Sequence, residues 1–363
     1  MTWMVGTRKG LFVFDDDDEI VDQKFIGEPV TAVLVDPRDN NIYVALNHGH
    51  FGQKLHRSTD GGASFDEITA PTFPAKPDDL VDMEPMRQIP TPWNVELIWS
   101  LEAAHRDEPG ALWCGTIPGG LFRSDDRGDS WQLVESLWHD ERRAKWMGGG
   151  YDFPGIHSIV VDPRAEGHAL ISVSCGGTWR TNDGGATWEP SSGMRNAYMP
   201  PDLAYDPVTQ DPHRTVGCAA NANVLWTQHH NGVFRSTDSG ATWTELEVPP
   251  SSFGFAVAVH PHDGDTAWFV PAVKDEMRVP VDGALAVSRT RDGGKTFDVL
   301  RSGLPQNSAY HLMYRHGLDV SADGNSLMMG STTGSLFATD DGGDNWRRVT
   351  ADLPPIAVVR NAG

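Results

Sequence analysis

The 363-residue sequence predicts an all-β fold built from one repeated unit, and three observations carry the prediction. First, the phrase Ser58-x-Asp60-x-Gly62-x-Ser64-Phe65 returns at residues 124–131, 181–188, 236–243, 290–297 and 339–346, with spacings of 49 to 66 residues. A period of that size marks one supersecondary unit copied around a ring or along a stack. Second, short apolar runs punctuated by Gly, Pro and Asp surround every copy, as expected for strands joined by tight turns. Third, each end of the chain carries only part of a unit, so the two ends together complete one more.

Within a unit the elements follow in a fixed order. An upstream strand ends in a turn, as at 30–37, 156–163 and 255–261, and a second strand follows, as at 42–46. A third runs into the repeated phrase, as at 120–124 and 232–236. Asp bonds nearby backbone amides and Gly tolerates positive φ, so the phrase is a turn, and its closing aromatic opens the fourth strand. Each unit therefore reads as four strands with the phrase between the third and fourth. At the N-terminus, residues 2–6 and 10–14 read as a second and a third strand, and residues 356–360 read as a lone first strand. The Asp15–Asp18 run is then a degenerate copy of the phrase and a solvated turn. Seven units result, closed by pairing the terminal strands, which removes exposed sheet edges.

All six copies match Ser/Thr-x-Asp-x-Gly-x-Ser/Thr-Trp/Phe except for Asn345 in the last. That phrase resembles the Asp box, or bacterial neuraminidase repeat. The resemblance covers nearly the whole chain and implies a seven-bladed β-propeller of four-stranded antiparallel blades. A single domain over residues 1–363 is expected, with loop insertions at about 71–95, 138–155 and 271–284.

Composition narrows the partners. A net charge of −21 argues against nucleic acid and against anionic membrane surfaces. No apolar run approaches the length of a membrane-spanning helix, and residues 1–20 lack the pattern of a secretory signal. Cys114, Cys175 and Cys218 cannot all pair and form no CxxC motif, so reduced thiols in a cytoplasmic protein are expected.

The propeller resemblance places the first strand of each blade innermost. It puts the Asp boxes on the face opposite two sets of loops, those leading into first strands and those joining second to third strands. The long insertions fall in these loops, as does a stretch at 302–314, and loops of such length usually carry function. Trp93, Trp99, Trp138, Trp146, Tyr151 and Phe153 supply aromatic surfaces there, either to stack sugars or to pack the insertions onto the blades. Aligning first strands on their closing turns puts Trp99, His157, His316 and Thr31 in one column. Together with His48, His50, His229 and His230 these histidines are candidates to bind a divalent metal or to move protons.

The same alignment shows a second departure. Two positions before the closing turn, Leu34, Val160, Ala204 and Ala258 are apolar, whereas Glu102 and Asp319 are carboxylates. On an innermost strand a carboxylate must reach water, pair or shift its pKa, so these two are candidate acid and base beside His157 and His316. Arg8, Arg278 and Arg315 are placed to clamp an anionic or hydroxyl-rich ligand, with Asp282, Trp99, Tyr151 and Asn231 as further substrate contacts.

Asp-box propellers are similar to sialidases, xyloglucan-cleaving glycosidases, sortilin-type receptors and photosystem assembly factors, so fold alone does not select a function. The Arg-Ile-Pro motif of sialidases is absent, with Arg87-Gln-Ile-Pro90 only a loose echo, and sialidase rings have six blades. Xyloglucan-cleaving enzymes share the seven-bladed count but pair two propellers, against one in this sequence. The expected function is a carbohydrate-active enzyme, glycoside hydrolase or lyase, acting on a small glycoside or oligosaccharide at the channel mouth. A divalent metal is the candidate cofactor. The alternative is a non-catalytic binding or assembly propeller whose long loops hold a protein partner.

Overall fold

A computed structural model describes residues 2–363. The fold is a seven-bladed β-propeller of four-stranded antiparallel sheets with almost no helix. The first blade comprises Val30–Val35, Ile42–Asn47, Gln53–Ser58 and Asp66–Ile68. The next begins at Leu97–Ala103, the third at Ile156–Val161, the fourth at Pro212–Cys218, the fifth at Gly254–His260 and the sixth at Leu318–Val320. The last blade takes Ile356–Asn361 from the C-terminus and Trp3–Thr7, Gly10–Phe14 and Ile20–Lys24 from the N-terminus, as expected from the sequence. No helix among the described residues is long and apolar enough to cross a membrane.

The chain divides into two compact units. One holds the residues up to Val33 with 213–239 and 244–363, and thus the last four blades. The other holds Leu34–Pro212 with Gly240–Trp243, and its boundary falls inside the strand Val30–Val35.

The repeated phrase builds the same hairpin turn each time. Asp183 Oδ1 accepts from Thr181 Oγ1 (2.8 Å) and Thr187 N (2.9 Å), while Oδ2 accepts from Thr187 Oγ1 (2.6 Å). Thr181 Oγ1 in turn accepts from Gly185 N at 2.8 Å. The motif glycine has φ between 78° and 96° in all six copies, a region that other residues enter only with strain. Asn345, the one departure in the phrase, donates from Nδ2 to Asp341 Oδ2 at 2.9 Å and so replaces the hydroxyl. In the degenerate seventh copy Asp15 Oδ1 still accepts from the amides of Asp17 and Glu19, and Asp18 pairs with Arg347.

Buried indoles tie successive blades of the four-blade unit together. Trp226 Nε1 donates to Gly264 O (2.9 Å) and Trp268 Nε1 to Gly342 O (2.8 Å), and both rings are nearly inaccessible. In the other unit the insertions pack mainly on one another. Asp82 accepts from Trp93 Nε1 (3.0 Å) and Arg143 Nη2 (2.9 Å), Arg143 covers Trp138, and Glu84 Oε1 accepts from Gly148 N at 2.9 Å. Trp138 is buried among the insertions and Trp146 packs its insertion onto Trp179 of the third blade, so neither is an exposed sugar platform.

The fourth blade departs from the sequence reading. Ala204 was expected on its innermost strand because Asp206-Pro207 imitates the Asp-Pro that closes other first strands. The strand is instead Pro212–Cys218, and Ala204 lies in a preceding loop. Its carbonyl accepts from Asn196 N (2.8 Å) and Gln210 Nε2 (3.1 Å), so this stretch satisfies its polar groups within itself rather than along a sheet.

Two outcomes test this account. Trp268→Ala should cost about 3–5 kcal/mol in denaturant unfolding. Trp268→Phe keeps one aromatic ring and Gly342 O keeps its bond from Arg289 Nη1, so this variant should cost less than Trp268→Ala. It should still cost more than the roughly 1 kcal/mol of the lost N–H bond, because part of the indole volume is also removed. The second concerns pH. Hydrogen bonds from Ser64 and Ser58 hold the Asp60 carboxyl at about 2 against an ordinary 3.8, and Asp183 and Asp292 are likewise at about 2. Carboxyls depressed in the folded state contribute stability above pH 3.8 that is lost as pH falls through 2. The melting temperature should therefore fall over that window. Asp183→Asn should melt lower than the parent at pH 7 and nearly level with it at pH 2.

Candidate functional site

The innermost strands carry the feature that shapes the site. In four blades the pairing of first with second strand slips by a bulge, at Ile98/Ser100, Ile156/Ser158, Gly254/Val257 and, in the last blade, opposite Gly6/Thr7. The residues inside these slips include Trp99, His157 and Phe255. A bulge re-aims side chains and disrupts the ladder locally, and bulges collect near functional sites. The column that the sequence alignment assigned to Trp99 and His157 is thus a bulge column. Phe255 stands at the same offset from its closing turn, and so does His213 once the fourth blade's strand is placed correctly.

In the four-blade unit this column forms a cluster. The His213 ring stacks on Phe255 with centroids 4.3 Å apart and planes at 9°. His230 meets His213 edge-on at 5.3 Å and Phe253 at 5.8 Å. The guanidinium carbons of Arg278 and Arg315 lie 5.2 and 5.3 Å from the Phe255 centroid, and Tyr314 meets that ring edge-on at 5.2 Å.

Two loops deliver these groups, one joining Asp263–Pro271 to Val287–Thr290 and the other leading into Leu318–Val320. They are stitched together by Ala309 N to Gly283 O (2.9 Å) and Leu285 N to Pro305 O (2.9 Å). Beneath them Phe253, Phe255, Ala272 and Leu312 form a small apolar core. Phe255 is 2 % exposed whereas Tyr314 is 37 % exposed, so the cluster runs from core to solvent.

Electrostatics sharpen the picture. Burial works against the Arg278 charge, but hydrogen bonds with Asp275 and Tyr314 outweigh it and raise the pKa above that of an ordinary guanidinium. Arg278 Nε donates to Asp275 Oδ1 at 2.9 Å. His213 Nδ1 lies 2.7 Å from Gly254 O, a carbonyl that can only accept, so Nδ1 carries a proton and donates it there.

The other expected residues are placed as follows. In the three-blade unit Trp99, Tyr151 and His157 meet ring to edge, Trp99 lying 5.2 Å from Tyr151 and 5.4 Å from His157. His157 is fully buried. Its Nε2 donates to Pro212 O at 2.8 Å, and its Nδ1 accepts from Ser158 Oγ at 2.9 Å. Both nitrogens are thus engaged, which corrects the reading of His157 as a metal ligand. Glu102 is half-buried, with Oε1 3.2 Å from Ala103 N. His48 and His50 sit at a 3-10 turn, Gly49–Phe51, with His50 exposed and edge-on to Phe51.

In the four-blade unit His229 is buried against Phe234, and its Nδ1 accepts from Asn231 N at 3.3 Å. His316 is buried and bridges Val358, with its carbonyl accepting from Val359 N at 2.8 Å. Asp319 Oδ2 accepts from Asn361 N at 2.9 Å, so it also ties the sixth blade to the closing strand. Arg8 is exposed in the turn between Trp3–Thr7 and Gly10–Phe14, and Asp282 is exposed with a left-handed φ of 56°. His230, one of the expected metal ligands, lies at metal-ligand distance from His213, whereas the other five expected histidines join no such group among the described residues. Arg278, Arg315 and His230 are the expected residues that the Phe255 cluster brings together. His213, Phe253, Phe255 and Tyr314 were missed.

The packing of the Trp99 face is testable. A Cβ on Gly155 would lie 2.6 Å from the Trp99 ring and 2.5 Å from Ile117. Gly155→Ala should cost about 1–3 kcal/mol by overpacking. In a Trp99→Leu background the same substitution should cost measurably less, as a double-mutant unfolding cycle will read.

No family model matches the chain. A curated probable oligoxyloglucan-reducing end-specific xyloglucanase of Neosartorya fischeri is 26 % identical over 320 residues, covering 79 % of this chain and 36 % of that protein. A xyloglucanase of a Paenibacillus species is 28 % identical over 272 residues, covering 64 % and 23 %. The chain thus spans about a third or less of the length of these curated relatives. Among solved structures, the GH74 xyloglucanase of Xanthomonas campestris superposes with a TM-score of 0.65 at 18 % identity, covering 96 % of this chain and 52 % of that one. YCF48 from Cyanidioschyzon merolae does so with a TM-score of 0.57 at 13 % identity, covering 97 % and 90 %. The chain is a seven-bladed β-propeller whose sequence homologues are GH74 xyloglucanases.

Proposed function

We propose that this protein is a carbohydrate-active enzyme of the glycoside hydrolase type, taking an oligosaccharide at the Phe255 cluster. The observation that carries the reading is the alignment with xyloglucanases over up to 79 % of the chain. The cluster suits a sugar: Tyr314 offers an exposed ring for C–H faces, and the arginines donate to hydroxyls. Glu102 in one unit and Asp319 in the other, half-buried carboxylates on innermost strands, are each proposed singly as an acid or base. The six hairpins support placing the chain with the Asp-box (BNR) proteins, and the three free cysteines support a reducing, cytoplasmic setting.

A second reading, a binding propeller without chemistry, is favoured by one observation. Asp319, one of the proposed acid or base groups, is already engaged as the acceptor of Asn361 N at 2.9 Å, a structural bond to the closing strand. Both readings face one experiment, incubation with a panel of neutral and acidic oligosaccharides that includes xyloglucan fragments. Products are followed by mass spectrometry and binding by calorimetry. Hydrolysis that falls by about a hundredfold or more in Glu102→Gln or Asp319→Asn would establish the enzyme. Binding without products would leave the binding module. Neither binding nor products across the panel would sink both carbohydrate readings.

A further inference from the structure

We propose that the arginine pair on Phe255 is a carboxylate subsite, and that the ligand is an acidic oligosaccharide carrying a uronic acid. The inference rests on the oligosaccharide reading above and names its substrate class. Relatives named for xyloglucan do not suggest it; the geometry of Arg278 and Arg315 does.

Two guanidinium groups reach the same phenyl ring from two different loops, at 5.2 and 5.3 Å. Each loop is pinned by backbone hydrogen bonds, so the pair is pre-positioned rather than gathered by a ligand. A guanidinium resting on a ring is held by cation–π attraction, and its planar N–H fork matches a carboxylate better than it matches a lone hydroxyl. Both arginines are half-buried, so their bonds to an anion would form in a partly dehydrated setting, where charge-assisted bonds are strongest.

The charge arithmetic points the same way. Carboxylates outnumber cationic side chains by 50 to 29 in this chain. Bringing two cations to one ring therefore runs against the general trend of the molecule. Asp275 accepts from Arg278 and orients it, while Tyr314, also within hydrogen-bonding reach of Arg278, stands at the exposed rim where a sugar ring would lie. His213, stacked on the same phenyl ring, adds a second polar group beside the guanidinium pair.

The test uses matched ligands: an oligosaccharide ending in glucuronate, and the same compound with its carboxyl reduced to the primary alcohol. Each is titrated calorimetrically into the full-length protein and into Arg315→Gln, Arg278→Gln and Arg315→Lys. The acid should bind about tenfold or more tightly than the alcohol. Either Gln variant should erase most of that preference, weakening the acid about fivefold or more beyond any loss for the alcohol, and Arg315→Lys should keep part of it. Arg291→Gln, on the fifth blade's hairpin, should leave the preference intact. Should a Gln variant fold poorly, the Lys variant and the other arginine still decide the matter. Equal affinity for acid and alcohol would overturn the carboxylate subsite and leave the oligosaccharide reading standing. A preference for the acid that survives both Gln variants would overturn it too, by moving the anion elsewhere. Binding of neither ligand would overturn the subsite, and the panel described above would then decide whether the carbohydrate reading falls with it.

Discussion

Pairing of Trp3–Thr7 with Ile356–Asn361 joins the two ends of the chain in one sheet, and much else hangs on that ladder. Val5 lies between Val359 on one side and Phe12 on the other, with no exposed surface. The short innermost strand of the sixth blade is fastened to the same place through the His316–Val358 bridge and the bond from Asn361 N to Asp319. Joining residues more than three hundred positions apart is entropically tolerable because loop closure grows only with the logarithm of length, about 0.6 kcal/mol per doubling. It gives each terminal strand a partner, with Trp3–Thr7 laddered on both sides and Ile356–Asn361 on one. His316 and Asp319 thus have an architectural task, and any chemistry at Asp319 would have to operate beside it.

Structure and function are carried by different parts of each blade. The Ser/Thr-x-Asp hairpin is repeated six times because its hydrogen bonds solve one local problem, the turn from third to fourth strand. Nothing in it varies enough to select a ligand. The innermost strands do vary, and their bulges present Trp99, His157 and Phe255. His157 spends both nitrogens on its surroundings, whereas Phe255 collects two arginines, a tyrosine and a histidine. The same backbone device therefore gives a packed histidine in one blade and a polar cluster in another.

Much of the fold was legible. The strand–turn–strand order, the seven blades and the shared terminal blade all follow from local patterns that the backbone obeys. The fourth blade's first strand was not legible, since Asp206-Pro207 carries the same turn signal as Asp36-Pro37 and Asp162-Pro163. That misplacement hid His213, which is offset from its closing turn as His157 is from its own. The aromatic insertions were legible as insertions. Their burial, with Trp138 beneath Arg143 and against Phe73, depends on contacts between segments some sixty residues apart.

By itself the sequence determined that this chain is a repeated four-stranded unit, which turns it uses, and that Arg278, Arg315 and His230 lie in the loops that lead into first strands or join second to third strands. Those are consequences of short-range chemistry: Asp and Gly in turns, apolar alternation in strands, long loops at one end. Only the tertiary structure decided which of the candidate groups meet. Two pinned loops bring Arg278 and Arg315 to one phenyl ring, while His157, His229 and His316 are buried among partners of their own. Spacing along a chain sets which strand a residue occupies. Which neighbours it meets is set by the packing of blades and loops remote in sequence, and that packing is written in no single segment.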